Sequence, residues 1–430
     1  MSTTLLKTVE REAQPPQSKR GKGERTPSAF RKALVSLNIA EGLLKRSYRR
    51  YGTWKGAYNG LMRLHKRREE YKTDYPKIRT VNGRYYQNMH IPGWPSAAFD
   101  RYIDHLLNVG DGYPQPTLFA LVFDITNKCG FQCRHCVEWE NLNRKDALSR
   151  YELLSIIEQF HRLGVSQVQL SGGEPLNRFE DLIYLLDNAP KGIDYWIYSN
   201  GYTLNQSKAK ELREHGLTGV LISLDHFQAG EHDAFRGVPG SYERVMEAAR
   251  NVTENGMVLG FSCCATKEFI SRENLLAYAE LARSAGATFI QFLEPEAVGR
   301  FAGRPVKLNR KEQQVLEEFY LDLNYKPEYA DFPIIGYPSW IKRFTECPGK
   351  GNHFVYVNAD GQVQACPFCQ NASFHALDEN LGQRITAMRT GACSRLEFYG
   401  DDVKPSMNAT WLKRLPEERE RDHPVLPEHK

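Results

Sequence analysis

Apolar runs alternate with amphipathic stretches along the central half of the chain. Short runs rich in β-branched and aromatic residues predict six strands, at 118–125, 167–170, 195–198, 220–224, 258–263 and 288–293. Apolar residues at helical spacing predict the intervening helices, at 150–163, 179–188, 207–215, 242–255 and 272–285. Repeated β/α units of this kind form parallel sheets with right-handed crossovers. We therefore expect an α/β fold, a partial (β/α)6 TIM-like barrel over residues 117–295, with its chemistry at the C-terminal strand ends.

The flanking segments have different patterns. Residues 1–28 are polar and rich in proline, which predicts a disordered tail, and residues 29–116 form a basic helical extension and connector. Glycines at 52, 56 and 60 either allow close helix packing or interrupt the helix, and the sequence leaves both open. Residues 296–400 form a cysteine-bearing module in which 353–366 predict a β-hairpin, and 401–430 a charged tail.

Charge is unevenly distributed. The net charge is +5, but residues 1–85 hold 21 Lys and Arg against seven acidic residues, which leaves −9 for the remainder. This basic arm is either a solvated helix face beside an acidic barrel or a contact surface for an anionic membrane or an acidic leader peptide. We expect no nucleic acid partner. Without a signal-like segment or a long apolar run, the sequence predicts a cytoplasmic protein.

Seven of the nine cysteines fall into two spaced sets, which in a reducing compartment favours metal or redox chemistry. Cys129, Cys133 and Cys136 follow the first predicted strand. Structural zinc requires four ligands, and His135, between two of the cysteines, is poorly placed to supply the fourth. A [4Fe–4S] cluster held by three cysteines has one iron open to a substrate or cofactor. Structural zinc and ordinary loop cysteines are the alternatives.

The stretch CGFQCRHC, from Cys129 to Cys136, resembles the CxxxCxxC signature of radical S-adenosylmethionine enzymes. Ser171 to Pro175 is similar to the GGE motif of that family, and YSNG at 198–201 and SLD at 223–225 match its cofactor-contacting positions. The phrase HDAFRGVPGSYERV at 232–245 is similar to the SPASM/twitch subgroup, which carries auxiliary iron–sulfur clusters. His226 departs from the pattern, because glycine is frequent there in relatives.

The resemblance implies a set of residues that contact S-adenosylmethionine. They are His135, Gly172, Gly173, Glu174, Ser199, Asn200, Ser223, Asp225 and Arg236. The glycines would let the backbone approach the ligand, and Glu174 would receive its ammonium group. Arg236 would pair with its carboxylate, and Asn200, Ser223 and Asp225 would bind ribose hydroxyls.

The second cysteine set is Cys347, Cys366, Cys369 and Cys393. Its spacing resembles the opening half of a SPASM or twitch region, which implies one auxiliary [4Fe–4S] cluster; a zinc ribbon is the alternative. Because four thiolates close such a site, we expect a role in electron transfer or structural support. Cys263 and Cys264 are expected to pack in the core, unless the inward thiol donates hydrogen atoms. Gln291 and Glu294 lie near the mouth, and the substrate base is unassigned.

The implied function is reductive cleavage of S-adenosylmethionine at a [4Fe–4S] cluster, followed by hydrogen abstraction from a peptide, a protein or a biosynthetic intermediate. The implied partners are an electron donor such as flavodoxin or ferredoxin and a peptide or small-molecule substrate. A lipid or sugar substrate at the membrane surface is an alternative. An alternative of another class is a non-catalytic zinc or iron–sulfur protein with a basic interaction arm.

Overall fold

The computed structural model describes residues 29–71, 77–109, 118–340, 353–369 and 374–388, and the predicted tails 1–28 and 401–430 lie outside these ranges. The described helices are α1 Ala29–Tyr51, α2 Trp54–Tyr71, α3 Ala97–Val109, α4 Arg150–Arg162, α5 Phe179–Asn188, α6 Gln206–Glu214, α7 Ala229–Arg236, α8 Ser241–Glu254, α9 Arg272–Ser284, α10 Arg310–Tyr325 and α11 Leu381–Met388. The strands are β1 Arg79–Val81, β2 Arg84–Tyr86, β3 Ala120–Asp124, β4 Gln167–Ser171, β5 Asp194–Ser199, β6 Gly219–Ser223, β7 Val258–Cys264, β8 Phe289–Leu293, β9 Ile334–Gly336, β10 Phe354–Val357, β11 Gln362–Gln364 and β12 Phe374–His375.

The strands β3 to β8 pair in sequence order and in parallel, with α4, α5, α6, α8 and α9 between them. All six predicted strands and all five predicted helices are confirmed, with boundaries that differ by at most one residue except at the start of β3, Ala120, which differs by two. Alternate residues such as Phe123 and Ile197 pack in the main core against the helices. The other face of each strand lines the barrel interior. The predicted partial barrel is confirmed.

The α/β alternation continues beyond residue 295, where the predicted barrel ends. Helix α10 begins at the Asn309 cap and leads to β9, which pairs in parallel with β8. At the other edge, the predicted hairpin is present as β10 and β11, and β10 pairs in parallel with β3. The described part of the 296–400 region therefore continues the barrel sheet at both edges.

The connector that follows α2 closes the barrel interior at the N-terminal ends of the strands. Val81, Tyr86 and Met89 form one buried cluster with inward-facing residues of the strands, such as Trp196 and Phe289. The Gln167 side chain donates a hydrogen bond to the Met89 carbonyl at 2.9 Å. Apolar side chains fill the interior at the N-terminal ends of the strands. A site for chemistry inside the barrel must therefore lie toward the C-terminal strand ends.

Helices α1 and α2 form a hairpin in which the glycines have two different roles. Gly52 has a φ of +67°, and its N–H donates to the Tyr48 carbonyl at 2.8 Å, so it ends α1 as a left-handed cap. A Cβ on Gly60 would lie 2.4 Å from Tyr51 Cε2 and 2.7 Å from Ser47 Oγ. Gly56 is similarly close to Tyr51. Gly52 therefore interrupts the helix, whereas Gly56 and Gly60 allow the two helices to pack closely.

Helix α3 connects this hairpin to the barrel. The Tyr51 hydroxyl donates to the Leu107 carbonyl at 3.1 Å, and Arg46 pairs with Asp100 and Asp104. On its other side, Arg101 Nε donates to the Val165 carbonyl, two residues before β4 begins. The hairpin is therefore fixed at the N-terminal end of the strands, opposite the barrel mouth. In the part of the chain that is described, no helix is long and apolar enough to cross a membrane.

We predict opposite effects for alanine at two glycines of the hairpin. Gly60→Ala lowers the stability of the hairpin by about 1–3 kcal/mol, because the added methyl meets the Tyr51 ring. Gly42→Ala, the matched control, raises the stability of the hairpin by up to about 1 kcal/mol, because alanine favours the helical conformation and open space surrounds that position. Hydrogen exchange of α1 and α2 amides measures both. Equal effects of the two substitutions would contradict the close packing at Gly60.

Candidate cofactor site at the barrel mouth

The three cysteines of the first set lie on one loop, the cluster loop, residues 126–136, which follows β3. The loop is anchored by polar contacts of its backbone. The Asn127 N–H donates to Asp146 Oδ1 at 2.8 Å, and the Cys129 N–H donates to Asn143 Oδ1 at 3.1 Å. From the far side of the loop, the Arg134 N–H donates to the Phe235 carbonyl at 3.0 Å. The cluster loop is therefore held at several points along its length.

Gly172 and Gly173 place the end of β4 directly against this loop. The N–H of Gly173 donates to the Thr126 carbonyl and the N–H of Glu174 to the Lys128 carbonyl, both at 2.8 Å. Cβ atoms on the two glycines would lie 2.4 Å and 2.5 Å from these same carbonyl oxygens. Gly172 also has a φ of +134°. The close approach that these glycines allow among the described residues is to the cluster loop itself, and their approach to S-adenosylmethionine stays a prediction.

Glu174 is buried, and its carboxylate joins the ends of two strands. It accepts hydrogen bonds from the Ser199 hydroxyl and the Asn200 N–H, both at 2.8 Å, and from the Leu176 N–H at 3.1 Å. Burial raises the pKa of Glu174, and these donors oppose the increase. The Ser199 hydroxyl also accepts from the Gly201 N–H at 2.9 Å. Glu174 and Ser199 therefore stabilise the mouth through contacts within the protein.

Arg236, the last residue of α7, has a carboxylate partner within the protein. Its Nε lies 2.6 Å from Asp225 Oδ2, and its Nη1 donates to Cys133 Sγ at 3.4 Å. Burial is the largest influence and acts to raise the pKa of Asp225, but Arg236 and smaller contributions, which include the Cys264 N–H, lower the pKa overall. The other Asp225 oxygen accepts from the Cys264 N–H at 2.8 Å. The pair expected to contact a ligand is thus an internal ion pair that touches the cluster loop.

One predicted cofactor residue has a buried ring nitrogen without a hydrogen-bond partner among the described residues, and another lies on the inward face of the barrel. The His135 ring stacks on Phe235 with centroids 5.0 Å apart, and its buried Nδ1 has no hydrogen-bond partner there. Burial lowers the pKa of His135 to about 4, so the ring is neutral. Ser223 ends β6 on the inward face of the sheet. Both stay predicted cofactor contacts, whereas the Glu174 carboxylate accepts three hydrogen bonds within the protein.

The thiols fit a cluster better than a single ion. Burial raises the pKa of the Cys129 thiol to about 11 and that of Cys136 to about 12, so both need a cation beside them to ionise at neutral pH. Among the residues that the structure describes, no group of three His, Cys, Asp or Glu converges on one metal ion. In a [4Fe–4S] cluster each thiolate binds a different iron, so separated thiols are compatible with it.

Sequence reasoning missed two sets of contacts near the mouth. The Tyr356 hydroxyl, on β10, contacts the carboxylates of Asp124 and Glu138, and burial raises the pKa of Asp124 to about 8. Arg300 Nη1 donates to the Gln132 and Cys133 carbonyls, and its guanidinium lies over the Trp139 ring. Both contacts join residues far apart in the chain, so local pattern could not reveal them.

The remaining candidates of the barrel rim also have partners within the protein. Ser262 donates to Gln291 Oε1 at 3.4 Å, and the Tyr337 hydroxyl donates to Glu294. Cys263 is buried in the outer core, as expected for a packing residue, whereas Cys264 points inward and packs with Phe235 and Phe301.

Of the second cysteine set, Cys366 and Cys369 lie among the described residues, and Cys347 and Cys393 lie outside them. Cys366 is buried, and the Cys369 N–H donates to its carbonyl at 3.0 Å in a tight turn. Strand β11 runs antiparallel to β10, so the chain leads away from the mouth before it reaches Cys366. The two described cysteines are therefore not at the mouth.

Comparison with known proteins identifies the domain that contains this site. Residues 123–276 match the family model of the Radical SAM superfamily. The match covers the cluster loop and the strand ends around it, and the protein thus carries a radical SAM domain. Enzymes of this superfamily use a [4Fe–4S] cluster and S-adenosylmethionine, which confirms the two cofactors that the sequence predicts at this domain.

The similar proteins differ in what they make. An AdoMet-dependent heme synthase of Oleidesulfovibrio alaskensis is 29% identical over 60% of this chain and 72% of its own length. A PqqA peptide cyclase of Granulibacter bethesdensis is 25% identical over 66% of this chain and 77% of its own. The crystal structure of Streptococcus suis SuiB bound to precursor peptide SuiA has a TM-score of 0.54 at 16% identity, and covers 71% of this chain and 74% of that one. This likeness supports the fold.

We predict that Glu174 stabilises the protein even without S-adenosylmethionine. Glu174→Gln places an amide among N–H donors and lowers the stability of the domain by about 1–3 kcal/mol. The control is Glu254→Gln, at an exposed position on α8. Thermal unfolding without and with S-adenosylmethionine measures both variants. An effect confined to S-adenosylmethionine affinity would show instead that Glu174 is a ligand contact.

Proposed function

We propose that the protein is a radical S-adenosylmethionine enzyme that abstracts hydrogen from a peptide, a protein or a biosynthetic intermediate. The observation that carries the proposal is the cluster loop, which has three cysteines after the end of β3 and contacts the end of β4 and the last turn of α7. When bound, the cofactors supply a 5′-deoxyadenosyl radical, formed with methionine when one external electron cleaves S-adenosylmethionine. The protein's own tasks are binding, orientation and exclusion of water.

Cys129, Cys133 and Cys136 would hold the cluster and leave one iron without a protein ligand. Arg236 supports this arrangement, because its Nη1 donates to Cys133 Sγ at 3.4 Å and places a positive charge beside the cluster loop. Asp225 in turn neutralises and orients Arg236. We therefore assign the Asp225–Arg236 pair to the charge and position of the cluster loop, and not to direct recognition of the methionyl carboxylate.

His135 and Ser223 would make side-chain contacts to S-adenosylmethionine. The unpartnered Nδ1 of a neutral His135 ring can accept a hydrogen bond from the adenine amino group. Ser223, at the end of β6, can bind a ribose hydroxyl. Glu174, Ser199 and Asn200, together with Gly172 and Gly173, would shape the cavity from behind through their internal hydrogen bonds.

We propose one auxiliary [4Fe–4S] cluster at Cys347, Cys366, Cys369 and Cys393. The barrel supports it through the β10–β11 hairpin, whose first strand pairs with β3. The Asn127 side chain, on the cluster loop, also donates to Asp360 in the hairpin turn at 3.4 Å. Because β11 leads away from the mouth, an auxiliary cluster there would serve electron transfer or structural support rather than substrate binding.

The external electron would come from a small carrier such as flavodoxin or ferredoxin. An aromatic contact links the protein surface to the cluster loop: the partly exposed Tyr202 ring packs edge-on against Phe131, with centroids 5.5 Å apart. The Phe131 N–H lies 3.4 Å from Cys129 Sγ. Lys208 and Arg244 line the same depression as Tyr202, which suits an acidic carrier.

Substrate class is the finer part of the proposal. Peptides are favoured, because the peptide cyclase and the SuiB–SuiA complex are among the similar proteins. The heme synthase shows that related domains also serve other compounds. Perdeuterated candidate substrates decide the matter, since a true substrate transfers deuterium to 5′-deoxyadenosine. We expect transfer from a peptide; transfer only from a lipid, a sugar or another small molecule would contradict this choice.

We predict that anaerobic reconstitution loads two clusters, about eight iron and eight sulfide per chain. Dithionite then causes cleavage of S-adenosylmethionine to 5′-deoxyadenosine. Cys133→Ala abolishes this cleavage and lowers iron to about four per chain, because the first cluster is lost. Iron analysis and chromatography of 5′-deoxyadenosine measure these outcomes.

A second pair of variants distinguishes the roles of the two cysteine sets. Cys366→Ala should lose about four iron but retain some uncoupled cleavage, since the first cluster persists. Cys263→Ala, a buried cysteine in neither set, should keep both clusters and serves as the matched control. Zinc in both sites with no cleavage would favour the non-catalytic alternative, and full activity of Cys133→Ala would refute the open-iron assignment.

A further inference from the structure

Five large apolar side chains are exposed to solvent on the α1–α2 hairpin. These residues, the hairpin ridge, are Leu37, Tyr48, Trp54, Tyr58 and Met62. Trp54 and Tyr58 are 66% and 62% exposed. Trp54, Tyr58 and Met62 recur every four residues and so share one face of α2. The Tyr48 and Trp54 rings meet across the turn, with centroids 4.6 Å apart. Exposed apolar patches of this kind mark interaction sites.

Basic residues flank the ridge. Residues 35–65 contain six Lys and Arg and one acidic residue, Glu41, which is bonded to Lys45. Arg49 and Lys55 are exposed on the two sides of the turn, beside Tyr48 and Trp54. By contrast, residues 86–430 carry a net charge of −9. An anionic surface would therefore attract this end of the molecule and repel the barrel.

The position of the hairpin determines what such a contact can do. Helix α3 joins it to the N-terminal end of β4, whereas the cluster loop follows the C-terminal end of β3. The ridge and the barrel mouth thus lie at opposite ends of the strands. Contact through the ridge would tether the protein and keep the mouth open to the aqueous side.

We propose that the hairpin ridge anchors the protein to the surface of an anionic phospholipid bilayer. Trp and Tyr are the residues that favour the level of the lipid headgroups, with Leu and Met reaching into the acyl region. Arg49 and Lys55 bind the anionic headgroups on either side. The proposal does not depend on the radical chemistry.

Cosedimentation of the full chain with vesicles tests the anchor. The protein binds vesicles of phosphatidylcholine mixed with phosphatidylglycerol, and binds pure phosphatidylcholine much more weakly. Replacing Trp54 and Tyr58 together with serine weakens binding at least tenfold, on the order expected for loss of two interfacial aromatic residues. Replacing Arg49 and Lys55 together with glutamine weakens it about 30-fold on anionic vesicles, from roughly fivefold per basic residue.

Tyr151→Ser is the matched control, because Tyr151 is 68% exposed but lies on α4 of the barrel. It should bind as the unmodified protein does, and circular dichroism verifies that each variant folds. Unchanged binding of the Trp54/Tyr58 double variant would overturn the proposal, and so would equal binding to neutral and anionic vesicles. Absence of vesicle binding, with a dimer that the double variant loses in analytical ultracentrifugation, would show instead that the ridge is a protein interface.

Discussion

Two backbone hydrogen bonds hold the cluster loop against the end of β4, from Gly173 to Thr126 and from Glu174 to Lys128. They require that no side chain stand between the two segments, because a Cβ on Gly172 or Gly173 would overlap the loop carbonyls. With the loop fixed in this way, its cysteines have one position relative to the strand ends. Glycine here is therefore a condition for assembling the site, before any ligand is present.

The charged residues of the mouth are also held by contacts within the protein. Buried carboxylates are costly unless they are paired or accept hydrogen bonds. Glu174 meets this requirement with three donors, and Asp225 with Arg236 and the Cys264 N–H. Their capacity is largely taken up within the protein, so they determine the shape and potential of the cavity. Among the described residues the buried His135 Nδ1 has no hydrogen-bond partner, which is why we propose that it contacts the cofactor.

The sheet connects the two cysteine-bearing regions of the chain. Strand β10 adds to the barrel beside β3, and its Tyr356 contacts Asp124 at the end of that strand. The turn between β10 and β11 contacts the cluster loop, because Asp360 accepts a hydrogen bond from the Asn127 side chain. These contacts involve β3, the strand that leads into the cluster loop. A movement of the β10–β11 hairpin would therefore also move the cluster loop.

The sequence by itself determined the six strands, the five intervening helices and the radical SAM motifs, because apolar periodicity and short motifs are local properties. It also pointed to residues, such as Glu174 and Ser199, that the structure brings together at the barrel mouth. Only the tertiary structure decided which contacts these residues make: Gly172 and Gly173 pack on the cluster loop, and Arg236 pairs with Asp225. It also decided that Gly52 ends α1 whereas Gly60 allows α1 and α2 to pack closely. The addition of β9 and β10 to the sheet was likewise decided there. Such features depend on contacts between distant segments, and no local pattern of residues encodes which distant segment will be the partner.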